Sequence, residues 1–127
     1  MKLKAFMLLL SFSTVAHSYE PERAIVNLAD DLSTCAAFYL FMSKGLEKMD
    51  KDSTGLKASA AEAHKIAVSI SNLKVTGARI EMSLKEMVKE MDGNWSNSSI
   101  ILNKYGAQCK AMVENPDIRF QYWLDKK

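Results

Sequence analysis

Apolar residues recur at alternating steps of three and four along 25–49: Ile25, Leu28, Leu32, Cys35, Tyr39, Met42, Leu46 and Met49. The spacing predicts an amphipathic helix whose buried stripe contains a cysteine. Pro21 suits its first turn, Glu20 and Glu22 its positive end, and Lys44 and Lys48 its negative end. Asp50-Lys51-Asp52-Ser53-Thr54-Gly55 then interrupts the pattern with turn and capping residues, the clearest boundary in the chain.

A second stripe runs Leu56, Ala63, Ile66, Ile70, Leu73, Gly77, Ile80, Leu84, Met87 and Met91, with the polar Ser59 filling the step after Leu56. Ser59-Ala60-Ala61-Glu62 matches a capping box, so this helix starts either near Leu56 or at Ser59. Asp92-Gly93-Asn94 stops it, and Gly93 suits the left-handed residue beyond a helix end. The third stripe is Trp95, Ser98, Leu102, Tyr105, Cys109 and Met112. Asn115-Pro116 ends it, because the residue before proline avoids the helical region, and Pro116 opens a short last helix through Trp123. No period-two strand pattern, low-complexity segment or internal repeat is visible, so the fold class is all-α, an up-and-down helical bundle.

Two cysteines on apolar stripes test the topology. A Cys35–Cys109 disulfide is the natural pairing, worth about 4 kcal/mol on the chain-entropy model. An unbroken second helix over 57–91 would be roughly 50 Å long and would leave the cysteines about 10 Å out of level, beyond the ~7 Å between alpha carbons that a disulfide tolerates. Either loops and tilts absorb the offset, giving three long helices plus a short C-terminal one, or helix two reverses near Val75-Thr76-Gly77-Ala78 and a four-helix bundle levels the pair. The stripe stays in register through Gly77, which favours a continuous helix bent there. Gly45 and Gly106 also fall inside helical patterns, where each marks close backbone packing or a bend or ligand niche.

The N-terminal residues change the picture of where the chain acts. Lys2 and Lys4 precede a short apolar run over 5–16, and Ala16-His17-Ser18 places small residues at the recognition positions, the pattern of a secretory signal cleaved after Ser18. The run is shorter than the ~20 apolar residues of a membrane span and contains Ser11, Ser13 and Thr14. Export to the periplasm or the exterior fits the disulfide, and residues 19–127 form one domain without a transmembrane segment. Loss of Lys2 and Lys4 turns 17 basic against 15 acidic residues into equal numbers, and the signs alternate along the helices, which argues against nucleic-acid binding.

Candidate chemistry is sparse. His64 is the single histidine after the signal, and its helical neighbours Ala60, Ala61, Ala67 and Val68 offer no polar partner. No zinc spacing, haem motif, phosphate loop or Gly-x-Ser-x-Gly turn is present. Asp30 and Asp31 diverge by about 100° on a helix and read as a solvated face. Met82, Met87 and Met91 suggest cuprous copper, but the last two occupy the apolar stripe. Asn94-Trp95-Ser96 and Asn97-Ser98-Ser99 match the glycosylation sequon and equally serve as helix caps.

Aromatic residues are more informative. Phe38, Phe41, Phe120, Tyr122 and Trp123 flank or follow the stripes, and they either complete the core or form a candidate interaction surface. The expectation is a non-enzymatic exported binding or interaction protein without a cofactor, acting on another protein or a cell-envelope component. The alternative is a small-ligand or metal carrier with a cavity near Gly77, Met87 and Tyr105.

Overall fold

The computed structural model describes residues 20–126, so the signal sequence expected over 1–18 lies outside the described residues. Five α-helices and one short 3-10 turn follow in order: α1 Pro21–Lys48, α2 Thr54–Ile70, α3 Leu73–Glu90, the turn Trp95–Asn97, α4 Ser98–Glu114 and α5 Pro116–Leu124. No strand occurs among the described residues.

The long second helix does not form. α2 and α3 separate at Ser71-Asn72, upstream of the Gly77 region. Ser71 Oγ donates to the Ala67 carbonyl at 2.7 Å, Asn72 Oδ1 accepts from the Val75 amide at 2.8 Å, and Thr76 Oγ1 donates to the Asn72 carbonyl at 2.7 Å. These side chains compete with the helical ladder, ending one helix and capping the next. The apolar stripe stays in register across the break because both helices lay their apolar faces on α1.

Direction follows from side-chain partners. Lys57 near the start of α2 pairs with Glu47 near the end of α1 at 2.8 Å, so α2 runs antiparallel to α1. Ser83 in α3 meets Thr34 at 3.2 Å and the following Trp95 stacks on Phe41, so α3 returns parallel to α1. α4 then descends again and brings Cys109 to Cys35 with alpha carbons 5.3 Å apart, joined by the expected disulfide. The reversal thus supplies the level that a continuous helix lacked.

Both boundaries beside α1 and α3 use aspartate rather than glycine in the first left-handed position. Asp50 has φ 55° and Asp92 φ 54°. The Lys51 amide reaches the Leu46 carbonyl and the Gly93 amide the Val88 carbonyl, each at 2.9 Å, which is the Schellman closure. The start of α2 is also earlier than a Ser59 cap requires. Asp52 Oδ1 accepts from the Thr54 amide at 2.9 Å, so the helix begins at Thr54 and Ser59 lies within it.

Every other helix packs chiefly on α1. α2 makes the broadest contact with it while fully burying only Ala60, Ala63 and Ala67. α1 contributes the buried small residues Ala29, Ser33, Ala36 and Ala37. Small side chains let helix axes approach closely, which explains a large interface made by short residues. The bulky core lies on the other sides of α1, where Leu32, Phe38 and Phe41 meet Met87, Met91, Ile101 and Met112. α1 is long and apolar enough to pass for a membrane span by length and composition, but it is the central helix and over half of that stretch is buried by its neighbours.

α5 folds back onto α1. Asp31 Oδ2 accepts from Arg119 Nε at 2.7 Å and from Trp123 Nε1 at 2.6 Å. Asp31 is therefore a docking carboxylate and not part of a solvated face, while Asp30 stays exposed and lies 3.7 Å from Arg79 Nε.

Candidate functional site

Because α2 adheres to α1 alone and barely touches α4, a cleft opens between them along α1. Its volume is about 750 Å³, inside the range typical of small-molecule sites. α1 provides the floor with Phe38, Tyr39 and Met42, and α2 provides one wall with Leu56 and Ser59. α4 provides the other wall with Leu102, Asn103, Gly106, Ala107, Lys110, Val113 and Glu114. The lining is mainly apolar, with few polar groups.

Gly106 and Ala107 make the room. A Cβ on Gly106 would sit 3.3 Å from Leu102 Cδ1 and 3.9 Å from Phe38 Cζ, so a larger residue there would grow into the cleft. Gly45 differs, since its Cβ position lies 3.0 Å from Trp95 Cζ3 and the glycine serves close packing.

Tyr39 is the unusual member of the floor. The residue is 8% exposed and its hydroxyl makes no hydrogen bond to protein among the described residues, but the oxygen is not shut off from solvent; the buried side-chain polar atom without a partner among them is Arg79 Nη1. Burial, with a contribution from the Glu114 carboxylate, pushes the phenol above its ordinary pKa and keeps it protonated. It is a donor lining the cleft. Lys110, one turn before Glu114 on α4, also lines the cleft and has no ion-pair partner among the described residues.

A smaller cleft of about 430 Å³ lies on the opposite flank of α2, with Leu40 and Phe41 below, Leu84 and Val88 beside it and Trp95 at the end. Its rim is already engaged, because Lys57 hydrogen-bonds Glu47 and holds that carboxyl below the usual range.

Of the two readings of the five aromatics, core completion or a surface patch, the burial of Phe38 and Phe41 fits the first. Phe38 and Phe41 are buried at 2% and 6% exposure, against Tyr105 and Trp95 respectively, so they belong to the core; only an exposed setting would have made them a surface. Phe120 packs half-buried against the core and Trp123 is held by Asp31. Tyr122 alone is largely exposed, with Arg119 4.2 Å from its ring centroid and Lys126 donating to its hydroxyl at 2.7 Å.

The cavity expected near Gly77, Met87 and Tyr105 is displaced. Gly77 faces open space, Met87 is fully buried, and the Tyr105 hydroxyl donates to Glu90 at 2.7 Å. The three methionines also part company, Met82 being exposed while Met87 and Met91 fill the core. Among the described residues no group of three His, Cys, Asp or Glu is placed to hold a metal ion. His64 borders a shallow depression with Ala36, Leu40 and Ile80 and makes no hydrogen bond among the described residues.

Lys110 and Ala107 carried no signal in the sequence, because neither lies on an apolar stripe. Tyr39 was visible only as a core position, and Gly106 was the one residue whose niche reading pointed here. Comparison with family models, with curated proteins and with solved structures finds no match for this chain.

Proposed function

We propose that this chain is an exported, non-enzymatic binding protein of the cell envelope, periplasmic or secreted after cleavage behind Ser18, and that it acts through the cleft between α1, α2 and α4. The observation that carries this reading is an apolar cleft of about 750 Å³ with an unpartnered Tyr39 hydroxyl in its floor. A few fixed polar groups in a concave apolar surface are what orient a bound molecule. The apolar run at 5–16 is compatible with a signal sequence, and the disulfide suits an oxidising compartment. The size of the cleft favours a small envelope component over the broad face of a folded partner, whose interface would bury about 800 Å² per side.

The test uses protein exported with its native leader and purified without reductant. Its denatured mass reads cleavage after Ser18 and the missing pair of thiol hydrogens. A neutral apolar fluorescent dye should bind this protein at one site, and Ala107→Trp, which fills the cleft from an exposed position, should weaken binding by about tenfold or more. Dye affinity unchanged by Ala107→Trp, or no binding at all, would overturn the cleft as the functional element.

A further inference from the structure

We propose that Ser71-Asn72 is a hinge through which two copies of this chain exchange halves: α2 and α3 straighten into one helix, and the α1–α2 half of each copy packs on the α3–α5 half of the other. The proposal concerns assembly and stands apart from the cleft reading.

The helix boundaries single out this hinge. The turns after α1 and α3 close on left-handed residues, Asp50 in one and Asp92 with Gly93 in the other. Pro116, at the start of α5, lacks the amide that a continuing helix needs. Ser71-Asn72 has neither feature: φ is negative at both residues, and no glycine or proline occurs from Leu56 to Thr76. Ile66, Ile70, Leu73, Gly77 and Ile80 keep helical spacing across the break. Two separate helices have no need of that common phase, whereas one straight helix does.

Little stands against straightening. Asn72 Oδ1 holds the Val75 amide, and Ser71 Oγ meets Thr76 Oγ1 at 3.0 Å. In a straight helix the Val75 amide takes the Ser71 carbonyl instead, so the backbone stays paired. α2 and α3 touch each other little, each resting on α1, and parting them gives up few contacts. Every other contact re-forms between copies from the same residues, which is what makes exchange of identical elements a low-cost route to a dimer. Leu73 is 67% exposed beside the hinge, and Val75 is exposed too. At the two-fold axis of the exchanged dimer the two straightened hinges lie side by side and give these residues apolar cover.

The disulfide decides which form persists. Cys35 belongs to one half and Cys109 to the other. Within one chain the bond ties the halves across the hinge and shuts off exchange. In the exchanged dimer Cys35 of each copy meets Cys109 of the other, and two interchain bonds form. Each bond forms as two thiols pass two protons and two electrons to a disulfide oxidant, which is reduced to two thiols. Exchange therefore precedes oxidation, and the bond fixes the form it finds.

The experiment starts from the purified protein, reduced and unfolded, as an equal mixture of nitrogen-14 and nitrogen-15 chains. It is refolded with oxidised and reduced glutathione at low and at high protein concentration, and masses are read after denaturation without reductant. Low concentration should give the monomer with its internal bond. High concentration should add a species of twice that mass, with mixed-label peptide pairs joining Cys35 to Cys109. Ser71→Ala with Asn72→Ala removes the caps and favours the straight helix, so the dimer-to-monomer ratio should rise by about tenfold or more. A Gly-Ser-Gly insertion after Ser71 lets the hairpin close and should return the chain to monomer. Monomer alone under every condition, a dimer whose disulfides lie within chains, or a dimer fraction indifferent to both hinge variants would overturn the proposal.

Discussion

At the residue scale, identical residue types carry different roles according to what stands opposite. Gly45 abuts the Trp95 ring, which is itself stacked on Phe41 at 4.8 Å, whereas nothing lies within 4 Å of a Cβ on Gly77. Gly77→Ala should therefore stabilise the protein by about 0.5–1 kcal/mol through helix propensity alone. Gly45→Ala should gain nothing net or lose about 1 kcal/mol, since the ring must move; urea titration of both variants separates the cases. Glu90 shows the same dependence on neighbours. Burial works to raise its pKa, but hydrogen bonds from Lys104 and Tyr105 outweigh it and hold the carboxyl below the usual range. A folded-state pKa below the unfolded one adds stability that is complete above the unfolded value, about 4.3 for glutamate, and is lost as the pH falls through the folded value. Melting temperatures measured from pH 7 down to 3 should show wild type losing its advantage over Glu90→Gln in that acid window; a constant difference would contradict the ion pair.

At the element scale, α2 is held by closeness and not by bulk. Ala63 is fully buried against α1, while Ala61 on the same helix is exposed. Ala63→Leu should cost about 2–3 kcal/mol by forcing the helices apart, and Ala61→Leu should change stability by less than about 0.5 kcal/mol. Denaturant midpoints of the pair give the comparison, and equal effects would argue against close α1–α2 packing. This interface was half legible. The alanines of α2 and Ala29, Ala36 and Ala37 are plain in the chain, but a stripe search for large apolar residues passes over them. The α2–α3 break was misplaced for a related reason, because the stripe continues through Ser71-Asn72 and only the side-chain hydrogen bonds reveal the reversal.

At the scale of the whole molecule, the disulfide ties the first long helix to the last across 74 residues of sequence. Closing a loop of that length restricts the unfolded chain, so the Cys35→Ala, Cys109→Ala double variant should lose about 4 kcal/mol, with a cavity contribution kept small by the alanines. Chemical unfolding under non-reducing conditions checks it; a loss below about 1 kcal/mol would mean that α1–α4 packing alone sets the fold. The bond also ties the floor of the cleft to its α4 wall, since Tyr39 and Val113 lie one turn beyond the bonded cysteines on opposite sides of the bond.

By itself the sequence determined that the described residues are all-α, where the first and third stripes lie and which cysteines meet, because periodicity and capping are local properties and two cysteines allow one pairing. Only the tertiary structure decided the direction of α3, the burial of Phe38 and Phe41, the docking of α5 through Asp31 and the existence of the cleft. Each of these depends on which helices touch and how closely. An alanine-faced α2 seated tightly on α1 stands clear of α4, and the space left between them belongs to no single stretch of the chain.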